Sequence, residues 1–173
     1  MMVAAAFFQA FVVAAFCEES LKYLVAKHME PSATNPYGLV LLSLSGSLGF
    51  AIFENIMYVF SSGKDALATA IVRAVLAVPL HATTGIIIGF NLAEDKYHGK
   101  KHGFFGTLAM PVLIHGGYDF FLMLEGLPEE TKAAMFVLVL GITICGVIYA
   151  RKRKDALLNM KDGQSDALVE DNA

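Results

Sequence analysis

Two glutamates and a lysine, Glu18, Glu19 and Lys22, lie inside an otherwise apolar segment that runs from Met1 to about Ala26. In hydrocarbon, adjacent carboxylates and an ammonium are costly unless polar partners meet them. Those partners have to come from other membrane helices that face the same interior. The stretch therefore predicts a bundle of several spans around a polar centre.

The rest of the chain supplies such spans. Of its 173 residues, 56% are hydrophobic and the mean hydropathy is +0.58. The apolar residues come in long runs, and a spanning helix needs about 20 of them. Strand-type alternation is absent, which argues against an outer-membrane barrel. The net charge of -3 says little about partners. With no basic cluster carrying interleaved aromatics, nucleic-acid binding is not expected. Cys17 and Cys145 both fall in expected spans, so no disulfide framework is indicated, and Cys17 reads as a small buried apolar residue.

The sequence predicts an all-α, polytopic transmembrane helix bundle of about five spans. They run over about 1–26, 37–60, 66–92, 103–124 and 133–150, making residues 1–150 one domain. Span two carries Ser43, Ser45, Gly46, Ser47 and Gly49, and span three carries Gly85-x-x-x-Gly89, small residues that permit close helix approach. Pro79 is expected to kink span three just before His81. The tail, 151–173, begins basic, turns polar and acidic, and is expected to be disordered. Lys27, Lys96, Lys100, Lys101, Arg151, Lys152, Arg153 and Lys154 share one side, against Lys64 and Lys132 on the other. That asymmetry places the C-terminus in the cytoplasm and the N-terminus outside.

Within the spans lie Glu18, Glu19, Lys22, Glu54, Arg73, His81, His115 and Asp119, spread over four helices. Such groups usually face a bundle interior or a wet cavity. At a rise of about 1.5 Å per residue, Glu18, Glu19, His81 and His115 form a cytoplasm-facing layer. Glu54, Asn55, Asp119 and Arg73 form a deeper, supporting one. Lys22 lies three and four residues from the two carboxylates and can neutralise either. His115 and Asp119 share a helix face, and Arg73 is a natural partner for Glu54 or Asp119. The loop histidines His28, His98 and His102 read as solvated, and with the loop lysines they could touch anionic headgroups.

A carboxylate and two histidines around a wet cavity can activate water, with a second histidine or Asn55 stabilising an oxyanion. The same donors are a plausible zinc set: His81, His115 and Glu18 or Glu19. Both chemistries lead to hydrolysis. No HExxH pair is present, so the metal-free reading is preferred and no cofactor is required, with zinc the alternative.

Four motifs carry a family resemblance. Glu18-Glu19-x-x-Lys22 matches an EExxK motif, and Phe50 with Glu54-Asn55 matches FxxxEN. Arg73 and His81 match an arginine-to-histidine motif, and His115 with Asp119 matches HxxxD. Together, in order and each inside an expected span, they resemble the PrsW-type intramembrane proteases, which are distantly similar to the CAAX-processing (ABI-type) peptidases. The resemblance implies a membrane endopeptidase that cuts protein substrates within or near the bilayer. Substrates of bacterial relatives include membrane-anchored anti-sigma factors. It also implies that Glu18, Glu19 and His81 matter most, and the family has been classed both as metal-dependent and as glutamic. Extra spans are expected ahead of the EExxK helix in family members, whereas this chain opens on it, which fits a minimal product or a truncated start.

The expected partners are thus a membrane protein substrate and the lipid bilayer; the sequence does not fix an oligomeric state. Intramembrane Glu, His, Asp and Arg also build proton relays, so a proton-coupled transporter is a competing reading, opposed by the lack of an internal repeat. A catalytically inactive membrane scaffold is the other.

Overall fold

The computed structural model describes residues 3–124 continuously and a discontinuous subset between 128 and 152. All regular structure among these is helical. Helix α1 (Val3–Phe7) passes into a π-helical segment (Phe8–Phe16) and then α2 (Cys17–Met29), with a 3₁₀ turn at Glu30–Ser32. Helix α3 (Pro36–Ser61) leads through a second 3₁₀ turn (Gly63–Asp65) into α4 (Ala66–Val75), α5 (Ala77–His98) and α6 (Gly103–Met123).

Three helical stretches among the described residues are long and apolar enough to cross a membrane: Val3–Ser32, Pro36–Ser61 and Gly63–His98. Helix α6 has 21 residues, which at about 1.5 Å each would bridge a hydrocarbon core, though His115 and Asp119 lower its hydropathy. The protein is an integral membrane protein. Half of the expected fifth span falls outside the described residues; Val137, Leu138, Gly141 and Cys145 within it are helical. The tail beyond Lys152 lies outside them.

Local chemistry sets the helix ends. Asn35 caps α3, its Oδ1 accepting from the Gly38 N–H at 2.8 Å, and Pro36 occupies the first turn, where its missing N–H costs nothing. Helix α5 stops at Gly99, whose φ of 65° is left-handed, and the Lys100 N–H closes back on the Glu94 carbonyl. Asp95 then caps α6, accepting from the N–H groups of His102 and Gly103. The expected kink at Pro79 lies a little upstream, at Leu76. Proline has no N–H for the carbonyl four residues back, and its ring crowds that carbonyl, so regular helix ends at Val75.

Helix α5 is the central element and packs against α2, α3, α4 and α6. Gly85 and Gly89 bring it against Ser43 and Ser47 of α3, where the Ser43 hydroxyl donates to the Gly85 carbonyl at 2.8 Å. A Cβ on either glycine would overlap α3, so the small residues of spans two and three form one seam. Gly116 of α6 similarly accepts the ring of Phe11 from the π-helical segment. Large apolar side chains such as Phe53, Phe60, Leu67 and Phe105 point outward, as lipid-facing residues do.

Two readings of single residues change. Cys17 is on the outward face rather than buried, because the inward face of α2 is taken by Glu19, Lys22 and Ala26. His102 is engaged rather than solvated: its Nδ1 lies 2.7 Å from Asp95 Oδ1 and its Nε2 3.4 Å from Glu94 Oε2. Lys96 and Tyr97 likewise hold the α2–α3 connection, both donating to the Ala33 carbonyl.

Candidate active site

The 3.6-residue period turns Glu19, Lys22 and Ala26 of α2 inward on one stripe. The same period directs Ser43, Ser47 and Ala51 of α3 toward the core, with Glu54 next on that stripe. On α5 it buries His81 beside Leu80 and Thr84, and on α6 it buries Thr107, Pro111 and His115 in line, with Asp119 one turn on. The π-helical segment ends at Phe16, two residues before Glu18, a placement typical of functional sites.

Five helices thereby converge, α4 contributing Arg73. Lys22 Nζ lies 2.6 Å from Glu19 Oε1 and also 2.6 Å from His81 Nδ1. His81 Nε2 lies 2.7 Å from Glu54 Oε2. Glu54 is gripped in turn by Arg73, Nη2 to Oε2 at 2.8 Å, while Arg73 Nε donates to Asn55 Oδ1 at 2.7 Å. On α6, His115 Nδ1 donates to Glu19 Oε1 at 2.7 Å. Its Nε2 faces Asp119 Oδ2 at 3.3 Å and Glu18 Oε2 at 3.7 Å. The two imidazoles meet edge to face, centroids 5.1 Å apart.

All nine ionisable or amide residues singled out from the sequence thus belong to one cluster: Glu18, Glu19, Lys22, Glu54, Asn55, Arg73, His81, His115 and Asp119. The expected choice of Arg73 between Glu54 and Asp119 resolves to Glu54. The hydrogen bond at His115 Nδ1 goes to Glu19, with Asp119 at the other nitrogen. Sequence reasoning missed four contacts. Tyr58 stacks its ring 3.9 Å from the Arg73 guanidinium, and its position four residues after Glu54 was the available signal. Phe50 packs against both His81 and Lys22. The reach of Lys22 to His81 depends on how α2 and α5 are rotated, which spacing along one helix does not report.

The two neighbouring carboxylates differ sharply. Glu19 is wholly buried and gives Oε1 to both Lys22 and His115. Glu18 is partly exposed, and its Oε2 has no hydrogen-bond partner among the described residues. Glu19 Oε2 is also unpartnered there. Around the centre stand four carboxylates, Glu18, Glu19, Glu54 and Asp119, with two fixed cations, Lys22 and Arg73. Protons on histidine or carboxyl groups would offset the excess negative charge, and so would a divalent cation.

A metal can be tested against these donors. One oxygen of Glu18 and one nitrogen each of His81 and His115 lie within 4.8 Å of one another. Two imidazoles and a carboxylate are a zinc-type set, and Glu19 and Glu54 stand behind the histidines as orienting carboxylates do around metals. The orphaned oxygen of Glu18 is a ready donor. At His81 both nitrogens are engaged, so ligation there requires Lys22 or Glu54 to withdraw. With that movement the donor set fits.

Comparison with known proteins gives a consistent assignment. A family model described as "PrsW family intramembrane metalloprotease" matches residues 1–147. Among curated proteins, the chain is 38% identical over 120 residues to Protease PrsW of Shouchella clausii (strain KSM-K16), covering 66% of this chain and 54% of that one. It is 36% identical over 122 residues to Protease PrsW of Bacillus subtilis (strain 168), covering 67% and 55%. To Protease PrsW of Clostridioides difficile (strain 630) it is 36% identical over 123 residues, covering 66% and 52%. The chain spans about half the length of these relatives. No solved structure gives a significant match. With the family model matching most of its length and these relatives sharing more than a third of the aligned residues, the chain belongs to the PrsW family.

Proposed function

We propose that this chain is an intramembrane endopeptidase that hydrolyses peptide bonds of membrane-anchored protein substrates by activating water at Glu18. The observation that carries the reading is the unpartnered oxygen of the partly exposed Glu18 beside His115; Glu19 also keeps one oxygen unpartnered but is wholly buried and held at the other by Lys22 and His115, while Glu54 and His81 are paired. Family membership supports the reaction class. The lysine and arginine distribution supports an outside N-terminus and a cytoplasmic C-terminus, so the Glu18 layer is reached from the cytoplasmic half of the bilayer.

In this mechanism Glu18 takes a proton from water as the water oxygen bonds to the scissile carbonyl carbon. As an imidazolium flanked by Glu18, Glu19 and Asp119, His115 gives its Nδ1–H to Glu19 and presents its Nε2–H toward the developing oxyanion. The C–N bond then breaks, and the proton held by Glu18 passes to the departing amine. His81, clamped between Lys22 and Glu54, walls the same pocket. Arg73 fixes Glu54 and Asn55 so that the clamp does not shift.

A second reading is favoured by the Glu18, His81 and His115 donor cluster. Those three residues would hold a zinc ion, which would supply Lewis-acid polarisation and a more acidic water. The deciding experiment is co-expression in membranes with tagged single-span proteins, comparing wild type with Glu18→Gln and His115→Asn, with and without chelator. Cleavage that is lost in the variants and indifferent to chelator supports water activation by Glu18. Loss with chelator and restoration by zinc transfers that role to the metal. A folded protein that cleaves no substrate overturns the protease reading in favour of a scaffold, and solute transport lost with the same variants would favour a transporter.

A further inference from the structure

We infer that Lys22 is a positioning residue that holds His81 as the Nε2–H tautomer and masks its other nitrogen, leaving water activation to Glu18. The inference rests on the protease reading only for its consequence in turnover; the tautomer itself is a property of the folded chain. Lys22 Nζ lies 2.6 Å from His81 Nδ1. An ammonium has donors and no acceptor, so the nitrogen it meets must offer a lone pair. His81 then carries its hydrogen on Nε2, facing Glu54 Oε2 at 2.7 Å, and a carboxylate only accepts. Both contacts call for the same tautomer. The opposite one would set donor against donor at Nδ1 and acceptor against acceptor at Nε2.

Each flank is anchored by a second partner. Lys22 is buried and anchored by Glu19 Oε1 at 2.6 Å, with the Phe50 ring 5.2 Å away. Glu54 is anchored by Arg73 at 2.8 Å. The order of contacts is therefore continuous: His115, Glu19, Lys22, His81, Glu54, Arg73. Lys22 joins the two histidine–carboxylate pairs through the single oxygen Oε1 of Glu19, which both Lys22 and His115 share. With Nδ1 occupied and Nε2 protonated, His81 has no lone pair left for a water proton. A simple ion-pair role for Lys22, neutralising Glu19 alone, would require no contact with His81.

The test is nitrogen NMR of protein labelled with ¹⁵N-histidine in bilayers, since bare and protonated ring nitrogens resonate far apart. His81 signals are assigned by their loss in His81→Asn. The wild type is expected to show a bare Nδ1 and a protonated Nε2 at His81. Lys22→Met, in which only Glu54 still favours Nε2–H, should give a mixture of tautomers, and Lys22→Arg, which keeps a donor, should retain the wild-type pattern. In cleavage assays Lys22→Met should lower kcat tenfold or more with KM within twofold, with partial recovery in Lys22→Arg. A wild-type His81 protonated at Nδ1, or an unchanged tautomer in folded Lys22→Met, overturns the inference. If Lys22→Met fails to fold, the wild-type spectrum still decides. If the NMR pattern holds and no substrate is cleaved, the protease reading fails while the tautomer assignment stands.

Discussion

Glu19 on α2 and His115 on α6, 96 positions apart in the chain, share a 2.7 Å hydrogen bond in full burial. That bond separates the roles of two adjacent glutamates. Glu18→Gln should leave the fold intact and lower kcat by about 100-fold or more. Glu19→Gln should also destabilise the protein, by about 3 kcal/mol, because Lys22 is left buried without its counter-charge. Thermal unfolding in detergent beside cleavage rates checks both. Equal loss of stability in the two variants would contradict the division.

Arg73 makes a forked contact that lysine does not reproduce, one arm on Glu54 and the other on Asn55, with Tyr58 stacked above. Arg73→Lys should cost about 1.5 kcal/mol through the lost bond to Asn55. Turnover should fall further in Arg73→Ala, where Glu54 is freed to move away from His81. Denaturation midpoints and kcat, measured on the same preparations, test this.

Gly116 leaves room for Phe11, and a methyl group there would overlap the ring. Gly116→Ala should destabilise by about 1–3 kcal/mol. Phe11→Ala should remove that penalty in the double variant, so the two effects should not add. An additive cycle would mean the contact is not the cause.

Zinc affinity offers a check on the donor set that does not depend on turnover. Where zinc binds, Glu18→Gln and His115→Asn should abolish binding. Glu19→Gln, which removes the carboxylate behind His115, should weaken it by about 10-fold. Elemental analysis of dialysed protein reads both. Retention in His115→Asn would move the ion elsewhere.

Much of this site was legible in the sequence because it obeys helix spacing. Glu19 and Lys22, or His115 and Asp119, fall on one face by arithmetic alone, and charge complementarity pointed Arg73 toward Glu54 or Asp119, of which it meets Glu54. The distinction between Glu18 and Glu19 was not legible. Consecutive helical residues point about 100° apart, and which of them turns inward depends on the neighbours that α2 meets. Lys22 reaching His81 is likewise a matter of rotation between helices. The fold was readable at the level of apolar runs, whereas the break at Leu76 required following Pro79 back to the carbonyl it cannot serve.

The seam of Ser43, Ser47, Gly85 and Gly89 contains no ionisable side chain. It nevertheless sets how closely α3 and α5 approach, and those two helices carry Glu54 and His81. The seam therefore works as a ruler: a side chain added at Gly85 would be read out one turn away, as a longer reach between a carboxylate and an imidazole. Anyone grafting this centre onto another bundle would have to copy four small, uncharged residues before copying a single acid.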